Sequence, residues 1–302
     1  MLLVGDPASS WRDWLKENRG RSDLLILDPT DPTLGPPGRF KRFRDGRLIW
    51  ERFYGSLDPL RAPHVLIGAL AEALRNADND IIVQAFTYRP NHLLRQTLLL
   101  VAQCLRPDSI LVPYGLELDL NGFPVGPETV SLAEAFPKVV QQAQRKAHWM
   151  KMLEECQPQA VSLQNVTVEG TRLGSGRALT ETEVQKLGVD DVLYVEKTGT
   201  TLLIVSASEV DEHRVSRVLD QTGCTKAIFA DPKLYSDLLC SFARESGEDI
   251  GFGILHSLDF RTRTATCLCS AVPPAPVRIL RLGSQRVDEA GNELGELRPS
   301  QI

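Results

Sequence analysis

Hydrophobic and polar positions follow two different textures along this chain. In the first half, short apolar runs of the buried-strand kind alternate with segments whose apolar residues recur every three to four positions. Residues 2–4 form one such run, closed by Gly5-Asp6-Pro7. Ser9 or Ser10 is then placed to cap a helix over residues 11–18, with Trp11, Trp14 and Leu15 at helical spacing. DLLILDP (23–29) predicts a buried strand that runs into a loop rich in Pro and Gly. RLIWERFYG (47–55) alternates as a half-buried strand should. A helix over 64–77, a strand over 80–86, a helix over 92–105 and a strand over 109–115 follow. Such alternation implies a parallel sheet with helices on both faces. Residues 128–155 are helical in pattern, and Pro137 divides them into two helices.

From Val161 onward the runs shorten and turn signals multiply. VSLQNVTVEG, VLYVEKTGTTLLIVSAS, IGFGILHSLDFRTRTATCLCSAV and VRILRLGSQRVDEAGNELGEL predict a mostly β region, with helices at 180–187 and 209–222. The expected organisation is an α/β domain over 1–157 and a mostly β domain over 158–302.

Composition narrows the possibilities. Of 302 residues, 42% are hydrophobic and 24% charged, which excludes a mostly disordered chain. No apolar run approaches the ~20 residues that cross a bilayer, and the strongest covers only 98–104. The start, MLLVGDP, has neither a basic flank nor a cleavable apolar core, so a cytoplasmic product with no membrane partner is expected. Against 34 basic residues stand 39 acidic ones, a net charge of −5. A general polycation is thereby excluded, while a local basic groove is not. Six cysteines without a secretory signal read as reduced thiols. Cys267 and Cys269 alternate on one strand and share a face. Neither they nor the five histidines (His64, His92, His148, His213, His256) show metal-ligand spacing, so no metal site is expected.

Three segments carry candidate chemistry. VGDPASSWRDWLKE has the strand–turn–helix layout in which backbone N–H groups face an anion. A phosphate-binding loop reads G-x-x-x-x-G-K-S/T, its lysine on the terminal phosphates and its hydroxyl on magnesium. Gly5 can be the first glycine and Ser9 or Ser10 the hydroxyl, but the second glycine and the lysine are absent. The turn reads about three residues short of that motif, and the nearest cation, Arg12, lies inside the predicted helix. An ordinary strand–turn–helix is the alternative. Asp28 and Asp31 close the second strand, where α/β sheets build their sites; they can hold magnesium or accept a proton, or simply cap turns. Arg39, Lys41, Arg42, Arg44, Arg47 and Arg52 are interleaved with Phe40, Phe43, Trp50 and Phe53. That mixture suits phosphate contact plus base stacking on a single strand, and equally a hairpin whose aromatics face the core. Between Ala135 and Leu153 lie Lys138, Arg145, Lys146 and Lys151 with no acid among them.

Taken in order, these segments resemble the polynucleotide 5′-hydroxyl kinases, P-loop enzymes that phosphorylate RNA or DNA ends in pre-mRNA cleavage and ribosomal RNA processing. Gly35-Pro36-Pro37-Gly38 is similar to the stretch after the family's D-x-D-x-G-Q segment. Tyr54-Gly55-Ser56-Leu57-Asp58-Pro59 is similar to its G-S/T-x-x-P segment, and Leu105-Arg106-Pro107-Asp108 to the I/L-x-P-D before a core strand. In the second half, VEGTRLGSGR (168–177) with Leu179-Thr180 resembles its GT-x-x-GSG-x-x-L. GIL (253–255) with DFRTRT (259–264) resembles its GIL…DF-x-x-K/R-T, and LGSQRVD (282–288) with GNELG (291–295) its closing segment. The resemblance spans nearly the whole chain.

It implies a P-loop NTPase-like fold, with ATP and magnesium as cofactors if the chain is active and a nucleic-acid 5′ end as partner. It also implies Asp28 and Asp31 in catalysis, and Gly5, Ser9, Ser10 and the lid residues Arg145 and Lys146 at the nucleotide. Arg39, Lys41, Arg42, Arg44, Gly55 and Ser56 are implied at the nucleic acid. Departures fall where the kinase would work. The P-loop lysine and the glycine before it are missing, the Asp strand lacks the G-Q that follows it, and the family's D/N-T-x-G appears as Val83-Gln84-Ala85-Phe86-Thr87. The family's amino-terminal β domain has no counterpart ahead of Met1. Phosphoryl transfer is almost entirely positioning and charge neutralisation, so these losses should be severe. A pseudo-kinase that binds nucleic acid or a protein partner is the leading expectation, with no cofactor of its own. An active kinase using Arg12, Arg145 or Lys146 in place of the lysine is a second. A protein-interaction module working through the β half, without nucleic acid, is the third.

Overall fold

The computed structural model describes residues 1–32, 35–75, 77, 80–119, 121–188, 191–208, 212–270 and 277–298. The chain divides into two compact units, Met1–Trp149 and Met150–Ile302.

The first unit contains β1 (Leu2–Leu3), β2 (Ser9–Ser10), α1 (Arg12–Asn18), β3 (Asp23–Ile26), β4 (Arg39–Arg44), β5 (Arg47–Phe53) and α2 (Pro63–Arg75). There follow β6 (Ile81–Gln84), α3 (His92–Leu105), β7 (Ile110–Pro113), β8 (Pro127–Val130), β9 (Ala133–Glu134) and α4 (Lys138–Glu154), inside which the division falls. Seven strands form one sheet in the order β5-β4-β3-β6-β1-β7-β8. From β3 to β8 all pairs are parallel, while β4 and β5 extend the sheet as an antiparallel hairpin. Its central strands are largely apolar because both faces are covered, with Asp23 opening β3 and Gln84 closing β6. Leu25, Leu27 and Val83 meet Leu66, Leu70, Leu98 and Val101 of α2 and α3 on one side. Leu24, Ile26 and Leu111 meet Trp11, Trp14 and Leu15 of the α1 segment on the other. α3 begins where Asn91 accepts the amides of Leu93 and Leu94, and it stops at Arg106, in the left-handed region before Pro107.

Two expectations change here. Residues 127–134 form β8 and β9 rather than a helix, so the helical segment is the single α4, with Pro137 just ahead of its first residue, where a missing N–H costs nothing. Ser9 and Ser10 lie extended in β2, paired with β9, so neither caps α1; Trp11 occupies the cap position without a side-chain hydrogen bond.

The second unit contains β10 (Cys156–Ser162), β11 (Thr167–Glu169), β12 (Arg177–Ala178), α5 (Glu181–Lys186), β13 (Val192–Thr198), β14 (Thr201–Ser206) and α6 (Glu212–Thr222). After these come β15 (Lys226–Ala230), β16 (Leu238–Ala243), β17 (Asp249–Asp259), β18 (Thr264–Ser270), β19 (Ile279–Val287) and β20 (Glu293–Glu296). One sheet runs β10-β18-β17-β16-β19-β11 with β20 beside β19, and a smaller one runs β12-β13-β14-β15. α5 starts with a capping box, Thr180 and Glu183 satisfying each other's backbone. Cys267 and Cys269 point to the same buried face of β18. Residues 209–211 of the helix expected at 209–222, and residues 271–272 of the last apolar run, lie outside the described residues, as does the side chain of His213. Among the described residues no helix is long and apolar enough to cross a membrane.

Candidate functional site

The carboxyl ends of β1, β3 and β6 open into a cleft of about 1040 Å3 in the first unit. Asp28 stands on its floor, two residues past β3. One carboxylate oxygen accepts the amide and hydroxyl of Thr30 at 2.8 and 2.7 Å; the other accepts the amide and hydroxyl of Thr87 at 3.1 and 2.9 Å. Burial pushes the Asp28 carboxyl above its ordinary range, partly offset by the Thr30 hydroxyl, while the charge of Asp31 pushes it further up. Asp31 also lines the cleft and accepts Gln84 Nε2 at 2.9 Å. Lys41, opposite Ile26 on β4, is 3% exposed. Burial lowers its ammonium to about 8, although Asp31, Glu51 and Asp28 pull the other way. Among the described residues no three His, Cys, Asp or Glu side chains are grouped to hold a metal.

The turn after β1 has the full spacing of a phosphate-binding loop, contrary to the expectation of a short one. Counting from Gly5, the second glycine position is Ser10, the lysine position is Trp11 and the hydroxyl position is Arg12. Its backbone is committed internally. Ala8 N–H donates to the Asp6 carboxylate at 2.9 Å, Ser9 N–H to the Asp6 carbonyl at 3.4 Å and Asp6 N–H to the Ser9 hydroxyl at 3.4 Å. Arg12 N–H donates to the Ser10 hydroxyl at 3.4 Å. The indole of Trp11 covers Gly5 so closely that a Cβ there would lie 3.0 Å from Nε1, which explains the glycine. At this turn no cation stands at the lysine position and no hydroxyl at the next, and Pro7 brings no N–H.

The segment leading into α4 is fastened to that turn. Ser9 pairs with Glu134, Ala135 N–H donates to the Ala8 carbonyl at 2.8 Å, and the Arg12 guanidinium lies 4.8 Å above the Phe136 ring. Of the two lid candidates, Arg145 lines the cleft and Lys146 does not. Further along α4, His148 Nε2 bonds the Pro32 carbonyl at 2.8 Å.

Of the two readings of the basic hairpin, the structure agrees with aromatics facing the core, and Arg39, Lys41 and Arg42 are buried rather than set along an open groove. Arg42 is buried against Asp23, with Nε at 2.9 Å, and donates Nη1 to the Ala73 carbonyl at 2.9 Å; Arg44 joins Asp23 at 3.1 Å. Arg39 pairs with Glu51 at 3.2 Å and Arg52 with Glu72 at 3.8 Å. Phe40, Phe43 and Phe53 are core residues. The interleaving of cations and aromatics reflects β4 burying both faces, while β5 is exposed over residues 47–49 and closes into the core at Phe53. Gly55 and Ser56 shape a turn. Gly55 takes a positive φ and donates to the Gly38 carbonyl, and the buried Ser56 hydroxyl accepts Asp58 N–H at 2.9 Å. It is the following Leu57, Asp58 and Pro59 that reach the cleft. The residues sequence reasoning missed are Trp11 and Thr87. Counting six positions on from Gly5 would have found the first, whereas the second needs the fold.

In the second unit the GTRLGSG stretch folds around the chain's own carboxylate. Glu196, 1% exposed, accepts Gly174 N–H and the Tyr194 hydroxyl at 2.8 Å each and the Gly176 N–H. A Cβ on Gly176 would lie 2.3 Å from the Lys197 carbonyl oxygen.

No protein-family profile matches the chain. It is 29% identical over 205 residues to a polyribonucleotide 5′-hydroxyl-kinase of Pyrococcus furiosus, a match covering 65% of this chain and 56% of that protein. It is 24% identical over 288 residues to the protein so named in Pyrococcus horikoshii, covering 91% and 75%. The chain thus spans little more than half the length of the P. furiosus relative. Among solved structures, Clp1p in its complex with Pcf11p aligns with a TM-score of 0.51 at 12% identity, over 94% of this chain and 74% of that one. That likeness bears on the fold, and the kinase-like α/β arrangement followed by a largely β region agrees with it. The resemblance to polynucleotide 5′-hydroxyl kinases stands.

Proposed function

We propose that this chain is a non-catalytic relative of the polynucleotide 5′-hydroxyl kinases that holds the end of a single-stranded RNA in the cleft of its first unit. The observation that carries the reading is Trp11 at the lysine position of a turn whose amides serve Asp6 and Ser9. A neutral, buried indole cannot neutralise a transferring phosphoryl group, and positioned charge is nearly all that such a transfer requires. The cleft remains suited to a polyanion. Arg12, Lys16, Arg19, Lys138 and Arg145, from α1 with its following residue and from α4, line it beside the half-exposed Phe136. Cations beside an exposed ring suit backbone contact with base stacking. RNA is preferred over DNA because the relatives are named for polyribonucleotides.

Calorimetric titration of ATP and magnesium should give no saturable binding in the millimolar range, with no transfer to a 5′-hydroxyl oligonucleotide. The same protein should bind single-stranded RNA with a log–log salt slope of about −0.7 per phosphate contact, and Arg145→Glu should remove about one such contact. ATP-dependent phosphorylation that vanishes in Asp28→Ala would overturn the reading. It would favour instead an active enzyme with a displaced cation, for which the buried Lys41 near Asp28 and Asp31 is the supporting observation. RNA affinity indifferent to salt would favour a protein partner, as Clp1p has in its complex with Pcf11p.

A further inference from the structure

Two of the three carboxyl-terminal motif stretches are about eighty residues apart in sequence, yet residues in and beside them line one cavity of about 230 Å3 within the second unit. The GTRLGSG stretch contributes Val168, Leu173, Gly174 and Gly176. The DFRTR stretch contributes Leu258, Asp259, Phe260 and Arg263. Tyr194 of β13 and Ala178 of β12 complete the wall used below. Glu196 accounts for the glycines of the first stretch, since it takes their amides. It does not account for Phe260 and Arg263 of the second stretch.

From this juxtaposition we propose that the cavity is a nucleobase site, taking one base of a bound nucleic acid with its 5′-phosphate at the rim. The chemistry is that of base recognition. Tyr194 and Phe260 lie 5.8 Å apart with their planes tilted by 36°, which presents aromatic faces rather than a closed sandwich. Leu163, Val168, Leu173 and Leu258 give the wall an aliphatic part and Thr167, Asp259 and Arg263 a polar one, and the space suits a single planar heterocycle rather than a whole nucleoside triphosphate. Arg263 is exposed, forms no ion pair among the described residues and is held at φ 53°, a backbone conformation that costs an L-residue energy and that clusters at ligand sites. Its guanidinium can meet a phosphate while a base stacks inside. The Asp259 carboxylate, whose Oδ1 accepts the amides of Arg261 and Thr262 and fixes the turn, offers an acceptor to an exocyclic amine. Next to Phe260, the buried Tyr235 ring stacks edge-on at 5.6 Å, and its hydroxyl has no partner among the described residues.

This proposal extends nucleic-acid binding to the second unit and can fail or hold apart from the cleft. The probes are the four nucleoside 5′-monophosphates and their nucleosides, titrated into the full chain by calorimetry or ligand-observed NMR. At least one nucleotide should bind saturably. Ala178→Leu, which fills the cavity, should weaken it about tenfold, the size of a lost stacking contact. Arg263→Glu, on an exposed side chain that folding does not need, should weaken the nucleotide and leave its nucleoside unchanged. Arg145→Glu, in the cleft, should leave both unchanged. The proposal is overturned if no monophosphate binds saturably, or if binding persists in Ala178→Leu and Arg263→Glu proteins that melt as the wild type does. It is also overturned if only Arg145→Glu abolishes binding, which would assign the nucleotide to the cleft.

Discussion

Two glycine-bearing turns, one in each unit, answer the same physical demand in different ways. Backbone N–H groups gathered in a turn want a negative charge. In the second unit the 170–176 loop receives Glu196, enclosed at 1% exposure and held by Gly174, Gly176 and Tyr194. In the first unit the turn from Gly5 to Arg12 receives Asp6 at its surface, through one amide at 2.9 Å. The first arrangement is a lock within the fold; the second is a local turn at the mouth of a cleft. A glycine motif therefore does not by itself announce a phosphate, because the chain can supply the anion.

The largest expected effect lies at the lock. Glu196→Ala would leave Gly174 N–H, Gly176 N–H and the Tyr194 hydroxyl without their shared acceptor at a half-buried site. The cost should be roughly 2–4 kcal/mol, given what hydrogen bonds to a charged acceptor contribute. Urea unfolding should show the midpoint falling for the second unit's transition with little change in slope. A loss within 1 kcal/mol, on the order of one ordinary hydrogen bond, would mean that the loop does not need its carboxylate, and the contrast between the two turns would collapse.

How much of this was legible beforehand differs between the two regions for the same reason. The parallel sheet could be read because its central strands are buried on both faces and the helices between them keep a 3.6-residue period. The basic hairpin left two readings open. In RFKRFRDGRLIWERF every second position looked solvent-facing, yet Asp23, Glu51 and Glu72, two of them distant in sequence, absorb Arg42, Arg44, Arg39 and Arg52. Charge pairing across a sheet cannot be read from a single strand. Residues 127–134 misled. Their pairing with β7 and β2 is tertiary, and tertiary pairing overrides helical propensity. In the site, Asp28 was visible as an acid ending a strand, but its two threonines were not, since Thr87 comes from a different strand end. Glu196 gave no signal at all, being one carboxylate in a strand whose partner loop lies some twenty residues earlier.

A second, smaller effect sets the enclosed carboxyl of the first unit against that lock. Because burial raises the Asp28 carboxyl in the folded protein, the native state holds its proton more tightly than the unfolded chain. Its contribution to stability is therefore largest in acid. It declines as pH rises from the unfolded value of about 3.9 through the folded one, by about 1.4 kcal/mol for each unit of elevation. Asp28→Asn removes that slope. The stability of the wild type minus that of Asp28→Asn, from urea unfolding between acid and neutral pH, should fall with pH. A rising difference would mean that the threonine hydrogen bonds outweigh burial.

The smallest effect is the one that most sharpens the comparison. Asp6→Ala breaks a hydrogen bond at the surface, so stability should change by no more than about 0.5–1 kcal/mol. What it exposes is the Ala8 amide, at the entrance of a turn with the spacing of a phosphate cradle. If Asp6 alone kept phosphate out, this variant would bind inorganic phosphate or ATP. The expected result is that it does not, because Trp11 still stands where a cation is required and Ser9 still engages the Asp6 backbone. Only the double substitution Asp6→Ala with Trp11→Lys restores both charge and an open amide, and phosphate titration of the three proteins separates these causes. Phosphate binding by Asp6→Ala alone would mean that the two turns differ only in how deeply each buries its carboxylate.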